Sequence, residues 1–256
     1  MLSSNKKQTK NFKVDFIISG VMKGGTTAAR FTMSQHPELY LAPTETGFFT
    51  DKSFYKGLDL YKEQFQIPND FTGMVGEKTP RYCVCAGVFP RIKKLFPDAK
   101  ILMFLRDPVK RFYSHWNHIR VEFEERGDEF MPFCEYLVES KSKLSQINHP
   151  LSPFNRGVYV KQLKNIVDVI GLENLYIAIS EKCRNNALKE YNKIFNFLNV
   201  SELSEHQLKP REFHVRPYSE PMLEAEIGYL QEFYKPHNEQ LFEFLGYEIK
   251  EWENNQ

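Results

Sequence analysis

Lys23, two glycines and two threonines stand in one row, Lys23-Gly24-Gly25-Thr26-Thr27, shortly after the apolar run Phe16-Ile17-Ile18. That combination suits an anion. A strand that turns through glycines into a helix leaves the first backbone N–H groups of the helix without partners, and the helix dipole adds partial positive charge there. Gly24 and Gly25 permit φ > 0 and close approach of the backbone to a phosphate. Lys23 contributes a full charge, and the threonine hydroxyls contribute donors. Two further polar clusters stand at expected strand ends, Glu77-Lys78 and Arg106-Asp107. Glu45 sits on a loop ahead of Phe48-Phe49 and is either a solvated surface acid or a positioned base.

These residues need a frame to hold them. Lys100 to Leu105, KILMFL, is the strongest buried-strand signal in the chain. Shorter strand signals lie at Phe16–Ile18, Glu38–Leu41, Met74–Pro80, which ends in a charged turn, and Leu175–Ile179. Helical spacing predicts helices from Thr26 to about Gln35, over Lys56–Phe65 with Tyr61 and Phe65 inward, and over Arg81–Phe96. Another should start at Pro108, capped by Asp107, and run to about Arg120. Further helices are expected around Phe130–Ser140 within a charged insertion (residues 122–153), over Gly157–Val169 and over Leu188–Leu198. Met222–Leu245 reads as a helix broken near Pro236. Phe48 and Phe49 should plug the core, and Ser201–Pro221 should be a loop. Strands alternating with helices predict an α/β fold, a three-layer, P-loop-like arrangement with a central, mainly parallel sheet flanked by helices. Ligands bind such sheets at the carboxyl ends of the strands, where all three polar clusters are expected to converge.

The 256 residues suit one domain, residues 14–256, behind a flexible tail at residues 1–13. A net charge of +1 gives no general attraction to nucleic acid or membrane. No apolar run is long enough for a membrane span. The basic, polar N-terminus lacks the apolar segment of a secretory signal, so a cytoplasmic setting is expected. The four cysteines, Cys83, Cys85, Cys134 and Cys183, show no disulfide spacing. Cys83-Val-Cys85 has no second Cys/His pair near it, so two ordinary thiols are expected and no metal site.

The ordered set resembles the sulfotransferase family. It comprises the glycine loop, His36-Pro37, Glu45 ahead of Gly47-Phe48-Phe49, Glu77-Lys78-Thr79-Pro80, and Leu105-Arg106-Asp107-Pro108 with Ser114 downstream. The pattern is most like heparan sulfate O- and N-sulfotransferase domains and their bacterial relatives. The resemblance implies 3'-phosphoadenosine 5'-phosphosulfate (PAPS) as sulfuryl donor, 3',5'-ADP (PAP) as product, no metal, and an acceptor hydroxyl or amine on a small molecule, lipid or glycan. It implies that Lys23, Gly24, Gly25, Thr26 and Thr27 hold the 5'-phosphosulfate, and that Arg106 and Ser114 grip the 3'-phosphate. Glu45 becomes the base and Lys78 a second lysine near the sulfuryl group. His118 falls where the N-sulfotransferases carry an active-site histidine, and Arg216 falls near a basic loop that closes over the nucleotide. Gly157 and Tyr159 match a recurrent Gly-x-Tyr at a helix start. The chain departs at Gly47, where several members carry a polar side chain beside the base, which removes one acceptor contact.

Two other functions compete. A P-loop kinase is opposed by the absence of Gly-Lys-Ser/Thr, since lysine here precedes the glycines. A non-catalytic nucleotide-binding scaffold is opposed by the presence of both Lys23 and Glu45.

Overall fold

In the computed structural model the described residues are 12–142, 152–209, 218 and 220–253, without the side chains of residues 51 and 52. Five strands form one sheet: β1 (Phe16–Gly20), β2 (Leu39–Leu41), β3 (Met74–Lys78), β4 (Lys100–Leu105) and β5 (Leu175–Ile179). Their spatial order is β2-β3-β1-β4-β5, and every adjacent pair is parallel. The pairing aligns Ile18 with Lys78 and with Leu102, and Leu105 with Ile179. All five carboxyl ends therefore open on one edge. The chain leaves β1 for the β2 side, returns through β3, then crosses to β4. That reversal beside β1 creates the crevice.

Each strand buries both faces, as apolar strands of a parallel sheet must. Ile17, Ile101, Met103 and Leu105 point to one core and Phe16, Ile18, Leu102 and Phe104 to the other. The first core is covered by α4 (Val88–Leu95), α5 (Pro108–Glu124), α7 (Tyr159–Ile170) and α10 (Glu224–Leu245). The second is covered by α1 (Thr26–Met33), α8 (Ser180–Asn185) and α9 (Ala187–Leu198). The remaining helices are α2 (Asp51–Phe54), α3 (Leu58–Lys62) and α6 (Phe133–Ser142). Phe48, Phe49, Tyr61 and Phe65 are buried as their spacing predicts.

Several elements differ from expectation. The helix expected over Arg81–Phe96 is split: one short turn spans Tyr82–Val84, and α4 starts only after Gly87, whose φ is +74°. Glycine in that conformation caps a new helix rather than continuing an old one. Pro236 does not break α10, which runs unbroken from Glu224 to Leu245; burial of Leu230, Tyr234 and Leu241 along one stripe holds it through the lost backbone donor. α5 extends to Glu124, past Arg120, while α2 and α8 had no periodicity long enough to announce them. The tail does not reach Lys13, because the Phe12 ring packs edge-on against Tyr61, Phe65 and Phe96.

The start of α5 is built tightly. Asp107 Oδ1 accepts from Val109 N at 2.9 Å, the expected N-cap. Asp107 N in turn donates to Glu181 Oε1 at 3.1 Å, and Trp252 Nε1 donates to Glu181 Oε2 at 3.2 Å. One buried carboxylate thus ties the end of β4, α8 and the C-terminal turn together. Glu181→Leu removes that acceptor from two buried donors and should cost about 2 kcal/mol in urea denaturation; an unchanged midpoint would refute the tie.

Candidate functional site

The glycine loop is shaped by contacts beneath it. Val21 N donates to Phe104 O at 3.1 Å, and Gly24 N to Val21 O at 2.9 Å. Gly24 is pressed so closely onto β4 that a Cβ would run into the Phe104 carbonyl. Gly25 caps α1 at φ +86°, and Ser180 Oγ, just past β5, donates to Gly24 O. Lys23 itself has φ +67°. A non-glycine residue in that region carries strain of about 1 kcal/mol, and such strain tends to mark functional sites.

The other clusters come to the same edge. Lys78 ends β3, is 6% exposed, and reaches two ways: Nζ lies 2.5 Å from Glu45 Oε1 and 3.5 Å from Thr27 Oγ1. It therefore joins the Glu45 loop to the glycine loop. Arg106 follows β4, and its Nη1 donates to Lys23 O at 3.3 Å. Tyr159 OH donates to Arg106 O at 2.6 Å, which gives the Gly-x-Tyr at α7 a buttressing role. Ser114 lies two turns into α5. His118, one turn further, pairs through Nε2 with Glu122 Oε1 at 3.2 Å on the same helix.

Lys23, Gly25, Thr26, Thr27, Glu45, Lys78, Arg106, Ser114 and His118 all line one cleft of about 1030 Å³. That volume is at the upper end for small-molecule sites, large enough for a nucleotide together with part of an acceptor. Of the expected site residues, Gly24 lies beneath the lining, and Arg216 lies outside the described residues.

Four cations that no motif pointed to also line the cleft: Arg30, Arg81, Arg156 and Arg184. Among the described residues, these with Lys23, Lys78 and Arg106 make seven cationic side chains in the lining against one carboxylate, Glu45, in a chain of net charge +1. The cleft is therefore strongly basic where overall composition is neutral. Arg30 had a legible signal, since it lies one turn after Thr26 on the same helix face. Its Nη1 donates to Ala42 O at 3.4 Å and to Pro43 O, which braces the loop that carries Glu45. Arg156 had none. Its guanidinium lies against Met22 Sδ and 3.4 Å from His115 Nε2, while His115 Nδ1 lies 3.0 Å from Tyr136 OH. Burial first, then Arg111 and Arg156, hold the His115 imidazole well below its ordinary range and so neutral.

The profile of the sulfotransferase domain matches residues 13–215. The chain belongs to the sulfotransferase family. Its sequence is 26% identical over 255 residues to human heparan sulfate glucosamine 3-O-sulfotransferase 3B1, covering 91% of this chain and 63% of that enzyme. It is 29% identical over 211 residues to human bifunctional heparan sulfate N-deacetylase/N-sulfotransferase 2, covering 77% of this chain and 23% of that protein. The crystal structure of a sulfotransferase from Alicyclobacillus acidocaldarius superposes with a TM-score of 0.77 at 25% identity, covering 95% of this chain and 100% of that one. The five-stranded parallel sheet is thus the P-loop-like sheet of the sulfotransferases.

Within this sulfotransferase domain, sequence reasoning misplaced one residue. Glu77, paired on paper with Lys78, faces away from the cleft and is fully buried. Its Oε1 accepts from Tyr61 OH at 2.7 Å, and its Oε2 from Thr79 Oγ1 at 2.8 Å and from Thr46 Oγ1. Thr46 is the neighbour of Glu45, so this buried carboxylate anchors the Glu45 loop from below. Burial raises the Glu77 carboxyl above its ordinary range against the opposing effect of the hydroxyl donors. A raised folded value means that ionised Glu77 subtracts stability, so the folded protein loses stability as pH rises from the ordinary carboxylate value through the raised one. Glu77→Gln removes this titration. Urea melts at several pH values should show the variant gaining on the wild type as pH rises, whereas a pH-independent difference would contradict the raised carboxyl.

Proposed function

We propose that this chain is a PAPS-dependent sulfotransferase that moves the sulfuryl group onto a hydroxyl of a glycan or small-molecule acceptor, with Glu45 as the base. The observation that carries this reading is the position of Lys78 between Glu45 and Thr27, 2.5 Å from one and 3.5 Å from the other. It brings a carboxylate able to take a proton beside a loop able to hold a phosphate.

The residues fit the donor. The loop backbone passes close enough to β4 that only glycine fits at position 24. Arg106 lines the cleft, and its buried Nε has no hydrogen-bond partner among the described residues; buried donors of that kind call for an acceptor. Lys23, Thr26, Thr27 and the first N–H groups of α1 would hold the 5'-phosphosulfate. Arg106 and Ser114 would hold the 3'-phosphate, for which a planar guanidinium suits a bidentate grip. When bound, the donor supplies a sulfuryl group on a phosphate leaving group.

The chain's own residues then do three things. Lys23 neutralises charge that grows on the leaving phosphate oxygen. Lys78 holds Glu45 in place until an anion at Thr27 competes for its ammonium. Glu45, half exposed at the cleft wall, takes the acceptor hydroxyl proton on a carboxylate oxygen. Most of the catalysis is positioning and charge stabilisation, as in phosphoryl transfer. His118, one turn from Ser114 and also in the cleft lining, would contact the acceptor. A hydroxyl acceptor is favoured over an amine by the 3-O-sulfotransferases among the relatives, which match 91% of this chain. The chain spans 63% and 61% of the length of the two human 3-O-sulfotransferases it matches.

Two measurements test the reading. In thermal shift, 3',5'-ADP should stabilise the protein far more than ATP with magnesium; the reverse order would favour a kinase. With labelled PAPS and a panel of acceptors, Lys23→Ala should lower kcat about 10²- to 10³-fold, as for loss of one preorganised donor. Glu45→Gln should abolish turnover while 3',5'-ADP binding persists; a wild-type rate in this variant would remove Glu45 from the base role.

A further inference from the structure

Gly47 stands two residues beyond Glu45 at φ +59°, and a Cβ there would meet Arg81 Nη2 at 2.8 Å. The guanidinium of Arg81 thus fills the space that a side chain at position 47 would need. Arg81 lies three residues past Lys78, is exposed, and lines the same cleft as Glu45 and Lys78. Among the described residues its guanidinium has one hydrogen-bond partner, Thr50 Oγ1 at 3.4 Å. Of its five N–H donors, one is used in that bond, which leaves donors to spare on a side chain that lines the cleft.

Two cations near Arg81 are engaged by the protein itself. Lys78 pairs with Glu45, and Arg30 braces the carbonyls of Ala42 and Pro43. Lys23 and Arg106 are joined by the bond from Arg106 Nη1 to the Lys23 carbonyl, and both are assigned above to the donor. Arg81 stands apart from that pair, on the wall that carries the base, where the acceptor hydroxyl must approach. A guanidinium offers a planar fork that matches a carboxylate or a sulfate ester.

We propose that Arg81 is a specificity-determining residue, which binds a carboxylate or sulfate group carried by the acceptor close to the hydroxyl that is sulfated. This rests on the sulfotransferase reading above. It makes the acceptor an acidic saccharide or a similar anionic alcohol, and it gives Gly47 a reason: any side chain there would displace the arginine.

The test uses the full chain saturated with 3',5'-ADP and calorimetric titration with three octasaccharides of one uronate–glucosamine backbone. One is sulfated and carboxylated, one is sulfated with its carboxyls reduced to alcohols, and one is desulfated and carboxyl-reduced. The wild type should bind at least one charged octasaccharide about tenfold or more tighter than the uncharged one. The charged form that keeps the advantage identifies which anion is read. Arg81→Ala should erase most of the difference, Arg81→Lys should restore part of it, and the affinity for 3',5'-ADP should be the same in all three proteins. Equal binding of all octasaccharides by the wild type, including no binding of any, overturns the proposal. So does an Arg81→Ala variant that keeps the full preference. Failure of the wild type to bind 3',5'-ADP would instead sink the sulfotransferase reading on which the proposal stands.

Discussion

Holding like charges together in one cleft costs free energy, and among the described residues this sheet edge gathers seven cationic side chains around a single carboxylate. Two unit charges 4 Å apart repel by about 4 kcal/mol at the effective dielectric of a protein surface. The fold meets that cost in two ways. Part is offset internally: Lys78 pairs with Glu45, and Arg30 and Arg106 donate to backbone carbonyls of Ala42, Pro43 and Lys23. The net positive charge of the lining favours an anionic ligand. A cleft arranged in this way is preorganised, because its donors are fixed before the ligand arrives and need no reorganisation at the moment of reaction.

The parallel sheet makes this arrangement possible. Each strand delivers a polar residue to the same edge: Lys23 after β1, Glu45 after β2, Lys78 at the end of β3, Arg106 after β4 and Ser180 after β5. The supports lie one layer down. Glu77 holds Thr46 beneath the Glu45 loop, Glu181 holds the start of α5, and Tyr159 holds the Arg106 carbonyl. Three buried polar side chains thus set three lining elements, which is why the cleft can be both strongly charged and well defined.

Much of this was legible in the sequence, for identifiable reasons. KILMFL was the strongest buried-strand signal, and Asp107-Pro108 fitted an N-cap and the first turn of a helix; both are as observed. Local signals of that kind survive folding intact. The break at Gly87 was less visible, since the apolar spacing from Val84 to Leu95 carries across it while the backbone does not. Pro236 misled in the other direction, because tertiary burial outweighed a local penalty. Arg30 could have been found from its place one turn after Thr26, but Arg81, Arg156 and Arg184 were missed because nothing in a linear chain says which arginines will share a cleft; only the topology decides it. Glu77 was expected with Lys78 in a polar cluster at the crevice, and four surrounding hydroxyl donors instead make it core.

The central claim is that one nucleotide is clasped by both of its phosphorylated ends, at Lys23 and at Arg106. Calorimetric titration of the wild-type protein with 3',5'-ADP, 5'-AMP and 3'-AMP tests it directly. If each phosphate gains charge-assisted hydrogen bonds at its own end, either monophosphate should bind roughly ten- to a hundredfold more weakly than the bisphosphate. A 5'-AMP affinity equal to that of 3',5'-ADP would mean that Arg106 holds no phosphate, and would contradict the two-ended clasp.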